Sequence, residues 1–216
     1  GFLILGDVVQ DRIWHDHAKT IGDLLLSSAA DDGQACWWPI PPEYPGLAGN
    51  RFLGIAHGAA GIASFFLELF LVTRERRFAV GARRVAEYLD SQAISAIDDN
   101  SGANWPDVAD GEISSLYWCH GATGIGSFLL RSYEVLGLDW CLKLATRAGR
   151  LVAQGAKWLN PTLCHGLAGN IQFLLDLYLV TGELAWLDAA QDHVMVLLRQ
   201  GSVRDGTLLF PSEEPT

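Results

Sequence analysis

Three stretches of the chain, Ile62–Arg74, Ile125–Gly137 and Ile171–Gly182, are apolar at nearly every position. Helices of that character are buried on all sides. Each is followed by a segment whose apolar residues fall on one helical face. In Phe78–Asp90, Val80, Val85, Ala86 and Leu89 take one side, with Arg83, Arg84 and Glu87 elsewhere. Leu138–Gln154 and Leu184–Gln200 follow the same pattern. The spacing predicts a repeated unit of a buried helix, a short turn and a half-exposed helix. Hairpins of this kind stack into a solenoid or close into a ring, so the predicted fold is all-α, an α/α toroid of nested helical hairpins.

The units repeat in sequence as well as in pattern. His57-Gly58-Ala59-Ala60-Gly61, His120-Gly121-Ala122-Thr123-Gly124 and His165-Gly166-Leu167-Ala168-Gly169 share H-G-x-x-G. Four residues after the last glycine stand Phe65, Phe128 and Phe173, which read as core. Seven after it stand Glu68, Arg131 and Asp176; nine after it, Phe70, Tyr133 and Tyr178; eleven after it, Val72, Val135 and Val180.

The ends depart from the rhythm. Trp14-x-Asp16-x-Ala18 matches Trp186-x-Asp188-x-Ala190 in the last outer helix, which makes Gly1–Gln10 the tail of a buried helix. Gly206–Thr216, with Pro211 and Pro215, reads as a loop. The expectation is a single domain over residues 1–216, a ring incomplete at both ends, and either a fragment of a longer domain or enzyme or an unusually short member of its class. Two connections are long. Asp31–Asn50 holds Pro39, Pro41, Pro42 and Pro45 and cannot be a regular helix. Ala96–Leu116 is polar, with Asp98, Asp99, Asp107 and Asp110. Loops placed just before a motif can line a site, and Trp37, Trp38 and Trp105 within them are candidates for a groove.

Composition narrows the function. The 216 residues are 50% hydrophobic and 19% charged, which excludes disorder. A net charge of −10 argues against nucleic-acid binding. The longest apolar run, Ala63–Val72, is broken by Glu68 and falls short of the ~20 residues a membrane span needs. Four cysteines are too few for a disulfide-built fold, and no signal-peptide pattern opens the chain, so a soluble cytoplasmic protein is expected.

Cysteine precedes histidine in the second and third motifs, as Cys119-His120 and Cys164-His165. The two cysteines are 45 residues apart, one repeat length, so they start neighbouring inner helices and converge in space. His165 can reach the same point. Two thiolates and an imidazole are favoured zinc ligands, and three protein ligands leave a fourth position open, the mark of a catalytic zinc. Such a zinc can hold a substrate thiol as thiolate or activate water; spacing does not choose between them. His57 has Ala56 where the others have Cys, which suits an acid/base group better than a ligand. His120 can donate a proton or compete with His165 as third ligand. Cys36 and Cys141 read as small core hydrophobes, and His15, His17 and His193 as surface or packing residues. Asp107 and Asp110 are the candidates for a glycosidase carboxylate pair.

The series G-x-A-H-G-x-x-G at Gly54–Gly61, W-C-x-G-x-x-G at Trp118–Gly124 and C-H-G-x-x-G at Cys164–Gly169 resembles the lanthionine synthetase C-like (LanC-like) family over nearly the whole chain. The resemblance implies an α/α toroid with a central Zn2+ held by Cys119, Cys164 and His165, with His57 as the active-site histidine and His120 beside it. It implies a cyclase that adds a cysteine thiolate to dehydroalanine or dehydrobutyrine, closing thioether rings in a dehydrated precursor peptide. Eukaryotic relatives add glutathione instead, and a non-catalytic peptide-binding toroid is a further alternative. A kinase-like or dehydratase domain precedes this one in some synthetases and is a candidate partner. Ser115 stands where some cyclases have Arg, and His120 where some have Tyr. The family's acidic residue of the first repeat has no counterpart.

Overall fold

The computed structural model describes residues 2–33, 35–96, 101–155 and 160–211. Eight helices dominate them: α1 (Phe2–Val9), α2 (Ile13–Ser28), α3 (Ala59–Thr73), α4 (Arg76–Ser91), α5 (Ala122–Leu136), α6 (Asp139–Gln154), α7 (Leu167–Thr181) and α8 (Leu184–Gln200). They pack as four successive hairpins, and α3, α5 and α7 lie side by side as an inner layer. Each outer helix also touches the next inner one, α2 on α3, α4 on α5 and α6 on α7. This is the nested arrangement of a toroid.

The repeat pattern explains the layers. Phe128 and Phe173 are buried against outer-helix residues that include Phe78, Val85, Ala145 and Ala148; in α3 the register position Phe65 is only partly buried, and its neighbour Phe66 is the ring that fills the core. Where helices cross closely, small residues stand: a Cβ at Gly126 would lie 2.4 Å from Phe173, and one at Gly149 would lie 2.3 Å from Leu177. The inner helices α5 and α7 end on Gly137 and Gly182, both left-handed, with φ of 69° and 71°.

Several expectations are refined. The inner helices begin three or four residues earlier than predicted, inside the motif itself. Gly1 lies outside the described residues, and Phe2–Val9 does form a helix, which Gln10 ends at a φ of 52°. That helix is largely exposed: among the described residues it packs chiefly on α2 and more lightly on α3, and Val8 stays 74% exposed. Gly206–Thr216 is not all loop: β5 (Ser202–Arg204) and β6 (Thr207–Leu209) form a hairpin, turned at Asp205 and Gly206, both at positive φ. Residues 212–216, with Pro215, lie outside the described residues, as do Asp98 and Asp99.

The two long connections hold short hairpins, β1 (Ala30–Asp31) with β2 (Cys36–Trp37) and β3 (Ile94–Ala96) with β4 (Gly102–Asn104). Trp105 lines no groove. It is fully buried, and its indole N–H donates to the Leu89 carbonyl at 2.6 Å, tying the β4 loop to the end of α4. Trp38 is likewise engaged, donating to the Leu25 carbonyl and packing on Phe66. Trp37 does line a cleft, with Arg51 and Tyr88. Cys36, Cys141 and His193 are buried, and the His193 ring sits 2.8 Å from the Ala189 carbonyl. Among the described residues no helix is long and apolar enough to cross a membrane.

Candidate metal centre

Helices α3, α5 and α7 carry no side-chain N-cap, so their first N–H groups need other acceptors. The preceding loop supplies them. The Ala59 and Ala60 amides donate to the carbonyls of Phe52 and Leu53, Thr123 to Leu116, and Leu167 to Asn160. Each partner lies seven residues back, so every loop folds over its own helix start in the same way.

The motif glycines allow that closeness. A Cβ on the last glycine of each motif would stand 2.0 Å from the Ile55 carbonyl oxygen, 1.8 Å from that of Trp118 and 2.2 Å from that of Leu163. Those residues occupy one repeat position, immediately before Ala56, Cys119 and Cys164. The cysteines are therefore fixed over the helix starts by backbone packing. Gly121 has φ of 87°, a left-handed conformation that favours glycine, and it turns the chain straight after His120.

The two cysteine loops meet. The Cys119 amide donates to the Cys164 carbonyl at 3.3 Å. The ligand atoms of Cys119, Cys164 and His165 all lie within 4.8 Å of one another. The Cys164 sulfur is 3.6 Å from Nε2 of His165. The ring of Tyr117 meets the His165 ring edge-on at 5.3 Å. Two sulfurs and an imidazole at these separations fit a zinc ion, whose bonds span ~2.0–2.3 Å. Burial, reinforced by the adjacent Cys164 thiol, pushes the Cys119 thiol up to about 12. It is protonated at neutral pH without a metal, and metal capture has to displace that proton.

The remaining two candidates stand beside this cluster. The rings of His57 and His120 stack at 5.5 Å with 12° between their planes. Phe52 packs against both, 6.4 Å from His57 and 6.2 Å from His120. His57 is exposed; His120 is half-buried, with Nδ1 enclosed and lacking a hydrogen-bond partner. Burial holds His120 below the usual histidine value; Asp107 opposes that, and His57 and His165 add to it. All five predicted side chains thus share one neighbourhood.

Phe52 and Tyr117 went unnoticed in the sequence. Extending the repeat register upstream of the motifs exposes both positions, because Phe52 aligns with Ser115 and Asn160, and Tyr117 with Gly54 and Thr162. Asp107 and Asp110 are not paired with each other: Asp107 accepts from Ser114, and Asp110 pairs with Arg51.

Comparison with known proteins bears on the fold and the family. The family model described as lanthionine synthetase C-like protein matches residues 9–207. The glutathione S-transferase LANCL1 of Danio rerio is 30% identical over 135 residues, 62% of this chain and 32% of that protein. LanC-like protein GCL1 of Arabidopsis thaliana is 30% identical over 172 residues, 79% of this chain and 37% of that protein. The chain thus spans about a third of the length of these curated relatives. Among solved structures, nisin cyclase superposes with a TM-score of 0.68 at 15% identity, covering 89% of this chain and 53% of its own. An α-mannanase of glycoside hydrolase family 76 from Bacteroides thetaiotaomicron gives 0.62 at 17% identity, covering 95% and 56%. Both likenesses establish the shared α/α toroid architecture. The motif series, the hairpin repeat and the extent of the family match together make this chain a member of the lanthionine synthetase C-like family.

Proposed function

We propose that this chain carries a zinc-dependent centre that adds a cysteine thiol to dehydroalanine or dehydrobutyrine in a dehydrated precursor peptide. The observation that carries the reading is the convergence of Cys119, Cys164 and His165 within 4.8 Å, with the stacked His57–His120 pair alongside. When bound, zinc keeps a coordinated substrate thiol ionised near neutral pH. Cys119, Cys164 and His165 would supply three ligands and would leave one position for substrate. The reaction forms a carbon–sulfur bond at the β-carbon, opens the carbon–carbon double bond and moves the thiol proton to the α-carbon. The histidine pair handles that proton. His120, kept neutral by burial, accepts it, the exposed His57 delivers a proton to the α-carbon, and exchange with solvent resets both rings. Phe52 holds both rings in place.

Metal analysis of the purified chain tests the centre: close to one zinc per chain is expected, and none in Cys164→Ala. Unchanged zinc in that variant overturns the ligand assignment. A dehydrated peptide with one free cysteine tests the reaction, read by loss of thiol alkylation. His57→Ala is expected to slow addition by roughly 10²–10⁴-fold with zinc retained. Full activity in that variant removes the acid/base role.

The likeness to a glutathione S-transferase favours a second reading, in which glutathione is the thiol. A dehydrobutyrine peptide without cysteine, offered with glutathione, separates the two. Zinc retained with neither thiol added leaves a peptide-binding toroid without turnover.

A further inference from the structure

The motif repeats are nearly uniform below the metal site, and they break at two places that touch. The fourth motif position is Ala60 in the first repeat and Ala168 in the third, but Thr123 in the second. The residue after the last glycine is Ile62 in the first and Ile125 in the second, but Asn170 in the third. Both exceptions are polar, and both are buried, Thr123 at 0% and Asn170 at 2% exposure. The Thr123 hydroxyl donates to Oδ1 of Asn170 at 2.7 Å, joining the first turn of α5 to the first turn of α7.

From this juxtaposition we propose that Thr123 and Asn170 are positioning residues that set the separation of the Cys119 and Cys164 sulfurs; the proposal rests on the zinc reading above. Each cysteine loop is locked to its own helix start, through Gly124 under the Trp118 carbonyl and Gly169 under the Leu163 carbonyl. The sulfur–sulfur distance therefore follows the spacing of α5 and α7 at this level, which the Cys119 amide bond to the Cys164 carbonyl bridges above and the Thr123–Asn170 bond below. Deeper down these helices meet through apolar contact, with Phe173 lying against Gly126. Apolar surfaces slide with little penalty, whereas a buried hydrogen bond is directional and weakens as its partners separate or tilt. Metal coordination tolerates only about ±0.2 Å in its bond lengths, so a distance-setting bond one turn below the ligands acts directly on affinity.

Alanine already occupies the Thr123 position in two repeats, so Thr123→Ala is compatible with the local backbone. Thr123→Val keeps the shape, and Thr123→Ser restores the hydroxyl. The test is titration of the metal-free chain with Co2+, reading the sulfur-to-metal absorption band, followed by Zn2+ competition to obtain Kd. Thr123→Ala and Thr123→Val are expected to weaken metal binding roughly tenfold or more and to alter the Co2+ band. Thr123→Ser is expected to return both close to wild type. A merely structural role lowers the melting temperature of the metal-free chain and leaves Kd unchanged; that result in folded Thr123→Ala overturns the proposal. A wild-type chain that takes up no Co2+ removes the metal site itself, and the positioning role with it.

Discussion

A single atom decides whether the cysteine loops can lie where they do. The last glycine of the third motif, Gly169, faces the Leu163 carbonyl, and a Cβ there would come within 2.2 Å of the oxygen. Gly169→Ala is therefore expected to displace Leu163 and with it Cys164. Zinc binding should weaken roughly tenfold or more, while helix content by circular dichroism stays near wild type. Zinc retained at full affinity would show that the loop has room to move. The sequence displayed this glycine as part of a recurring motif but did not show what it touches. Spacing reveals that a position is constrained; the identity of the opposing carbonyl is a property of the folded backbone. The same limit applied to Trp105, which read as a loop residue and is core. Its indole N–H is buried on the Leu89 carbonyl. Trp105→Phe is expected to lower stability by about 1–3 kcal/mol in chemical denaturation, through the lost indole bond and the space the smaller ring leaves, although the Leu89 carbonyl keeps the Gln92 amide. No change would mean that the bond contributes nothing net.

Helices were readable wherever the 3.6-residue period was strong. The outer helix Leu184–Gln200 was placed to the residue, because its apolar stripe and the glycine beyond it mark both limits. The inner helices begin earlier than their apolar stretches suggest, since H-G-x-x-G looks like a loop. Its second half is the first helical turn, held by carbonyls from seven residues upstream instead of by a Ser or Asp cap. The convergence of Cys119 and Cys164 was legible for a different reason: equal position in adjacent repeats implies equal height in adjacent hairpins. The histidine stack was not legible, because ring orientation depends on Phe52, which lies outside the motif. The Thr123–Asn170 bond was in principle visible as two polar breaks in an apolar register.

Across the whole molecule, three thiols sit in surroundings that disfavour charge. Burial raises Cys36 from the ordinary 9.0 to about 11, and Cys119 and Cys141 to about 12. In the unfolded chain they ionise near 9.0, while the native chain keeps these protons. Above that pH the unfolded state binds fewer protons, so stability of the metal-free protein falls as pH rises from about 9 towards 11, by up to ~1.4 kcal/mol per pH unit for each thiol. Urea denaturation at pH 8 and pH 10.5 measures the slope. Cys141→Ala, away from the metal cluster, should flatten it, and an unaltered slope would point to other titrating groups.

The cysteine cluster draws one ligand from the start of the α5–α6 hairpin and two from the start of α7–α8. On the zinc reading proposed above, an ion there would act as a rivet across a seam between two folding units. Saturating zinc, at a free concentration about a hundredfold above Kd, adds about 3 kcal/mol to global stability. The chelated chain should therefore unzip from one side. Amide exchange across Leu167–Gln200 should accelerate on adding a chelator while that of α3 and α4 stays slow, turning a cooperative melt into a stepwise one.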